Sequence, residues 1–332
     1  MTAESAAPAH SAPHAAPPAP WWSAVPPASG SIVMATGIVS IGLFVAGFDT
    51  LSKILMGIDI AVWLLLAAAF VTRAFRDPHG WKTAADTPPA LTAVAATTVL
   101  GTRLALFGWT HTAYAMLAIA ALAWPILLGG VARHLGHRMP GAVFLVCVAT
   151  QGLAVLAGQL ALLGEGEWLA WAALVLFALG LVLYAVVLAR FDIRQIRTGA
   201  GDHWVAGGAL AISAVAGSKL VASPVWTGTA HDILRITTLV VLGVALGWYV
   251  VLAVAEIAYP RPRYDIRRWA TVFPLGMTAA ACLLVSAAAH VAWLDTLGRV
   301  LLWIAFPVWA LAGVGLARSL ARAARAARTR RG

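Results

Sequence analysis

Charge is scarce in this 332-residue chain: Asp, Glu, Lys and Arg together make up 11% of it, against about 25% in an ordinary soluble domain. Acid is scarcer than base, with 13 Asp and Glu against 23 Lys and Arg. With 61% of residues hydrophobic, there is too little polar surface to cover a soluble globule, so the class implied is a polytopic membrane protein. Cysteine is nearly absent. Cys147 and Cys282 each sit inside an apolar run, which excludes a disulfide or Cys-based metal framework and reads as two small buried hydrophobes. The P-loop, the Gly-rich dinucleotide fingerprint and Cys-rich metal spacings are missing too, so no cofactor, no metal and no soluble-type enzyme chemistry is expected. His134 and His137, three apart in "RHLGHRM", have no further ligands around them and make a poor metal site. The first 20 residues hold no Lys, no Arg and no continuous apolar run, unlike a secretory signal. Their Ala/Pro-rich composition predicts a disordered lead over residues 1–28.

What is present is apolar length. Windows of roughly 20 residues, enough to cross about 30 Å of hydrocarbon, fall at 29–47, 53–73, 88–107, 110–132, 141–163, 167–189, 204–222, 231–257, 268–290 and 296–317. Ten spans place both termini on one side, and the distribution of base tests that count. The segments after spans 2, 4, 6, 8 and 10 hold 18 of the 23 Lys and Arg. The other face holds Lys53, Arg103, Lys219, Arg235 and Arg299. The bias predicts ten helices with both ends cytoplasmic, a membrane domain over 29–317 and an Arg-rich cytoplasmic tail over 318–332. The net charge of +10 is therefore topological base at helix ends, and no nucleic-acid partner is expected.

The odd and even spans differ in texture. Odd spans such as "WVAGGALAISAVAGSKL" and "FPLGMTAAACLLVSAAA" are rich in Gly, Ala, Ser and Thr, whereas even spans such as "WLAWAALVLFALGLVLYAVVL" carry bulky side chains. The odd starts recur every 53 to 68 residues, the signature of five helical hairpins. Small residues permit close helix approach and belong inside a bundle; the bulky spans suit a lipid-facing shell. The odd helices either pack as a solid core or line a pore. Their parallel direction, their mid-span polar residues Thr36, Thr97, Thr98, Gln151, Ser213 and Thr278, and their Pro and Gly breaks favour the pore.

No fully charged residue lies mid-way along an odd span, unlike a pump with a buried carboxylate. A pathway of hydroxyls, amides and backbone dipoles is expected, lined by Gly30, Met34, Thr36, Gly37, Thr97, Gln151, Ser213, Met277 and Thr278. Base marks its mouths: Arg103 and Lys219 outside, Arg267 and Arg268 inside. Rings of positive charge favour anions, so small anions are the expected substrate. Asp59, inside span 2, reads as a structural polar contact, and Glu256 as an interfacial one. In "RRWATVFPLGMTAAA", Pro274 sits inside span 9 and leaves the carbonyl of Ala270 without its helical partner. Such a group needs protein or water around it.

The stretches "PPASGSIVMATGIVSIGL", "VATQGLAVLAG", "GDHWVAGGALAISA" and "WATVFPLGMTAAA", in register with ten spans, resemble the tellurite-resistance/C4-dicarboxylate transporter family. That family includes bacterial TehA-type channels, fungal malate permeases and sulfite exporters, and plant guard-cell slow anion channels. The resemblance covers about residues 21 to 317. It implies an all-α fold of five hairpins in quasi-fivefold arrangement around a central pore, a homotrimer in the plasma membrane, and passive anion movement. It also implies a pore-blocking phenylalanine on span 9, by motif Phe273, aimed by the bend at Pro274. Alternatives under the same resemblance are a proton-coupled carrier for C4-dicarboxylates such as malate, or a sulfite exporter. From another class, a non-conducting membrane scaffold or sensor is the third alternative. At the start of span 1 this chain has Ser29–Ser31, "SGS", where many relatives carry an aromatic, and Gly30 is expected to leave extra room there.

Overall fold

The computed structural model describes residues 20–261 and 263–329. Ten of its helices are long and apolar enough to cross a membrane. They are α1 (Pro27–Val45), α2 (Asp49–Arg76), α3 (Pro88–Leu106), α4 (Thr110–Arg133) and α5 (Gly141–Leu162). The second half holds α6 (Glu167–Leu188), α7 (Asp202–Val221), α8 (Gly228–Ala258), α9 (Ile266–Ala289) and α10 (Trp293–Ala326). Among the described residues there is no β-strand, only one isolated bridge between Met139 and Phe191. The all-α class and the ten spans agree with the sequence reading.

Texture sorts these helices into two layers. The most apolar windows of the odd helices are 78% to 100% buried within the protein, those of the even helices 22% to 33%. Bulky residues of the even helices, such as Leu64, Leu122, Val175, Ile236 and Leu311, are exposed, as lipid-facing side chains should be. Gly, Ala and Ser on the odd helices let backbones approach where larger residues would hold them apart. The inner helices pack in cyclic order: α1 on α3, α3 on α5, α5 on α7, α7 on α9, and α9 back on α1. Each even helix packs on the odd helix that precedes it, so every hairpin has one inner and one outer arm.

All five inner helices open with a 3-10 turn: Pro27–Ser29, Pro88–Leu91, Gly141–Phe144, Asp202–Trp204 and Ile266–Arg268. The tighter turn narrows the helix where the five ends converge. On the opposite face the hairpins reverse within a few residues, and four use a glycine at positive φ: Gly47 at 88°, Gly108 at 93°, Gly164 at 86° and Gly228 at 55°. A side chain is strained in that left-handed region, so glycine is the natural residue for so short a link.

The lead expected over 1–28 lies outside the described residues as far as residue 19. Beyond it, Trp21–Ala24 forms a 3-10 turn, and Trp22 and Val25 lie against the α2–α4 face. At the other end the helix does not stop at 317: α10 runs on to Ala326 and the same helix continues to Thr329.

Candidate functional site

Two cavities lie along the ring formed by the inner helices, and all five contribute to each. The first, about 250 Å³, is at the end where the 3-10 turns meet. It is lined by Ser31 and Met34 of α1, Thr92 of α3, Leu145 of α5, Val205 of α7, and Arg267, Ala270 and Phe273 of α9. The second, about 20 Å³, is lined by Ile38, Ile41, Thr98, Val99, Thr102, Gly152, Val155, Ile212, Val215, Lys219, Met277 and Leu284. That is room for about one water. On α1 the lining passes from Met34 to Ile38, and on α9 from Phe273 to Met277. Four residues of helix rise about 6 Å, so a single layer of side chains separates the two spaces. Phe273 and Met34, each 1% exposed, form the inner boundary of the larger cavity.

Pro274, one residue past Phe273, lies within continuous helix from Trp269 to Ala289. Its ring packs on Gly208 of α7, where an added β-carbon would fall 2.8 Å from the proline Cγ. Ala270, whose carbonyl the proline deprives of a donor, lines the larger cavity, a place where water can serve it.

The hydroxyls expected along the axis are turned elsewhere. Thr36 accepts a hydrogen bond from Trp309 Nε1 of α10 at 3.0 Å, and Thr97 accepts one from Trp63 Nε1 of α2 at 3.0 Å. Gln151 donates to the carbonyl of Phe177 on α6 at 3.0 Å. Ser213 and Thr278 donate to the carbonyls of Ala209 and Pro274, four residues back on their own helices. Gly37 faces α2 and α3, since a β-carbon there would lie 2.7 Å from both Asp59 Oδ2 and Val99 Cγ1. None of these six borders either axial cavity. For the five polar ones the reason is shared: buried hydroxyls and amides must find partners, and those at hand are a backbone carbonyl one turn back, an outer-helix carbonyl or an outer-helix indole. Gly30 leaves no extra room, because Thr92 fills the space; a β-carbon on Gly30 would meet Thr92 Oγ1 at 2.5 Å. Of the nine residues expected along the axis, Met34 borders the larger cavity and Met277 the smaller.

The basic residues also divide. Lys219 lines the smaller cavity, 7% exposed. Arg103 does not reach the axis. It is fully buried, donating from Nε to Ser40 Oγ at 3.1 Å and from Nη2 to Ser52 Oγ at 2.9 Å, with the Phe44 ring 4.7 Å away. Arg267 lines the larger cavity and pairs with Asp265 at 2.8 Å. That hydrogen bond holds the Asp265 carboxyl below the usual range. Arg268 sits off the axis and pairs with Glu256, which also pairs with Arg261. Asp59 is fully buried, and among the described residues neither of its oxygens has the hydrogen-bond partner expected of a structural polar contact. Glu256, in the last turn of α8, is the centre of a cluster with Arg261, Arg268 and Trp204. Among the described residues no group of His, Cys, Asp and Glu could hold a metal.

Sequence reasoning missed the indole–hydroxyl bonds. Trp124 Nε1 of α4 donates to Thr150 of α5 at 3.0 Å, a third bond of the same kind. A signal was present: Trp63, Trp124 and Trp309 lie well inside even spans, away from the interface, where an indole N–H needs an acceptor.

The family described as "voltage-dependent anion channel" matches residues 24–317. Two uncharacterized membrane proteins of Mycobacterium tuberculosis, from strains CDC 1551 / Oshkosh and H37Rv, are each 28% identical to this chain over 131 residues. Those matches span 36% of this chain and 64% of each relative, so the chain covers less than two thirds of the relatives' length.

Proposed function

The chain belongs to the voltage-dependent anion channel family, and on that premise we propose that it moves small anions across the plasma membrane through the centre of its five inner helices. The observation that carries the reading is that all five inner helices line both axial cavities. The cavities are held apart at the level of Phe273. Its ring is the gate in this reading: apolar, buried and one turn below the narrow space that Lys219 lines. A hydrophobic constriction of that kind blocks by steric closure and dewetting. Lys219 supplies the positive potential on the outer side, and Arg267, tempered by Asp265 and Asp202, supplies a weaker one at the inner mouth. Both termini are cytoplasmic in this reading, which follows the skew of base toward that face. The quasi-fivefold arrangement and the homotrimer, one pathway in each subunit, are part of the same proposal.

Flux in proteoliposomes tests it. Wild-type protein should pass chloride, nitrate, sulfite or malate, with no potassium flux under the same gradient. Folded, inserted protein that passes none of them would remove the reading and leave a non-conducting scaffold. One observation favours a second reading, the proton-coupled carrier: Asp59 is buried beside the ring with no partner among the described residues, and a carboxylate so placed can carry a proton. Transport that collapses when the proton gradient is removed at fixed voltage, and that Asp59→Asn abolishes, would select the carrier.

A further inference from the structure

A third cavity, about 460 Å³, lies outside the ring, bounded by α2, α3, α4 and the N-terminal segment around Trp22. Its size falls within the roughly 300–1,000 Å³ of ligand-sized sites. Its walls are almost wholly apolar, including Trp63, Ala67, Ala93 and Ala123. At its rim Phe70, Val71 and Ile119 are 36%, 51% and 49% exposed on the lipid-facing side, so it opens toward the bilayer. Among the few polar groups on its lining, beside Ser29, Thr92 and Thr97, two belong to the end of the cavity at the last turn of α2 and the segment after it. Arg73 and Trp81 both border it, and Arg73 Nε and Trp81 Nε1 are both buried without a hydrogen-bond partner among the described residues. Two buried donors in one place, one of them on a cation, are costly unless an occupant brings acceptors. The same end lies on the face of the protein that carries most of its base, where anionic lipid headgroups collect.

We propose that this cavity binds one anionic phospholipid, its phosphate oxygens accepting from Arg73 and Trp81 and one acyl chain lying along α2 and α4. The shape and chemistry fit together: acceptor oxygens at the end with unmet donors, methylenes along the apolar remainder, and entry from the membrane. Thr92 borders both this cavity and the larger axial one, so the lipid lies one side chain from the proposed pathway.

Native mass spectrometry of the detergent-solubilised protein, titrated with phosphatidylglycerol and with phosphatidylcholine of the same chains, tests this. Wild type should take up one phosphatidylglycerol saturably and hold phosphatidylcholine at least tenfold more weakly. Arg73→Gln should erase that preference, and Ala67→Trp, which fills the cavity, should remove the tight adduct for both lipids. Melting temperature checks the fold of each variant, and Ala123→Leu fills the same space if Ala67→Trp does not insert. Equal uptake of the two lipids by wild type would overturn the proposal. So would retention of the phosphatidylglycerol adduct in the filled variants, since the charge would then be acting at the surface. No arm of the test reads anion flux, so its failure would leave the proposed pathway standing.

Discussion

Arg103 is kept inside the membrane by hydroxyls and rings, with no carboxylate among its hydrogen-bond partners. Ser40 and Ser52 hold each other through reciprocal bonds to backbone carbonyls, 2.8 and 2.7 Å, and thereby fix the two hydroxyl oxygens to which the guanidinium donates, while its Nη1 has no partner among the described residues. The cluster ties α1 to α2 and α3 at their outer ends. Removing one hydroxyl leaves a buried cation short of an acceptor, and hydrogen bonds to charged groups contribute about 1.5–3 kcal/mol. Ser52→Ala should therefore destabilise by about that much, measured by thermal unfolding in detergent, with Ser40→Ala adding less than a second full increment because both serve the same guanidinium. An unchanged melting temperature would mean that water replaces the hydroxyl. Arg103 and Lys219 look alike in the sequence, each near the outer end of an inner span. One faces an outer helix and the other a cavity, a difference set by their angular positions about their helices.

At the scale of the helix, the separation into inner and outer layers was legible because it is a matter of volume: Gly, Ala, Ser and Thr on one set, Leu, Val, Phe and Trp on the other. Which way a given inner residue points was not legible, for a physical reason. Helices such as α5 and α7 are enclosed on every side, their windows 100% buried, so no polar stripe marks a direction. The hydroxyls of Thr36 and Thr97 read as pore-lining because nothing in their own helices shows the tryptophan behind them. The three indole–hydroxyl bonds each join an inner helix to an even helix of the preceding hairpin: α10 to α1, α2 to α3, and α4 to α5. Thr97→Val should leave the Trp63 N–H unsatisfied and cost about 1–3 kcal/mol, while Thr97→Ser should restore most of it; equal melting of the two variants would contradict the assignment.

Close approach is the other property of these elements, and it is uneven. A β-carbon on Gly141 would fall 2.4 to 2.5 Å from backbone atoms of Asp202 and His203, which cannot rotate away. Gly57, in the outer layer, has nothing within 4 Å. Gly141→Ala should cost at least the roughly 1–3 kcal/mol typical of an overpacked core, whereas Gly57→Ala should melt within error of wild type. Thermal unfolding of the pair checks both.

For the whole molecule, the sequence yielded the count of helices, their pairing into hairpins and the inner identity of the odd ones, because membrane length, base distribution and small-residue texture are all global signals. It also led, through resemblance, to Phe273 as the residue to examine. It did not reveal that the axis is divided, or that Thr36, Thr97 and Gln151 bond to the outer layer while Ser213 and Thr278 bond within their own helices. The result is a ring braced from behind by indole, hydroxyl and guanidinium bonds, with two axial cavities one layer of side chains apart. In the proposed account, opening therefore needs movement of a few side chains at the level of Met34 and Phe273 rather than rearrangement of the helices.

The most direct measurement is anion flux through Phe273→Ala beside wild type in proteoliposomes, at equal protein inserted. The account predicts that the alanine variant conducts at least tenfold faster, with its order of preference among chloride, nitrate, sulfite and malate measurable above background. A variant that is folded and inserted yet conducts no faster than wild type would contradict the claim that this ring closes the pathway.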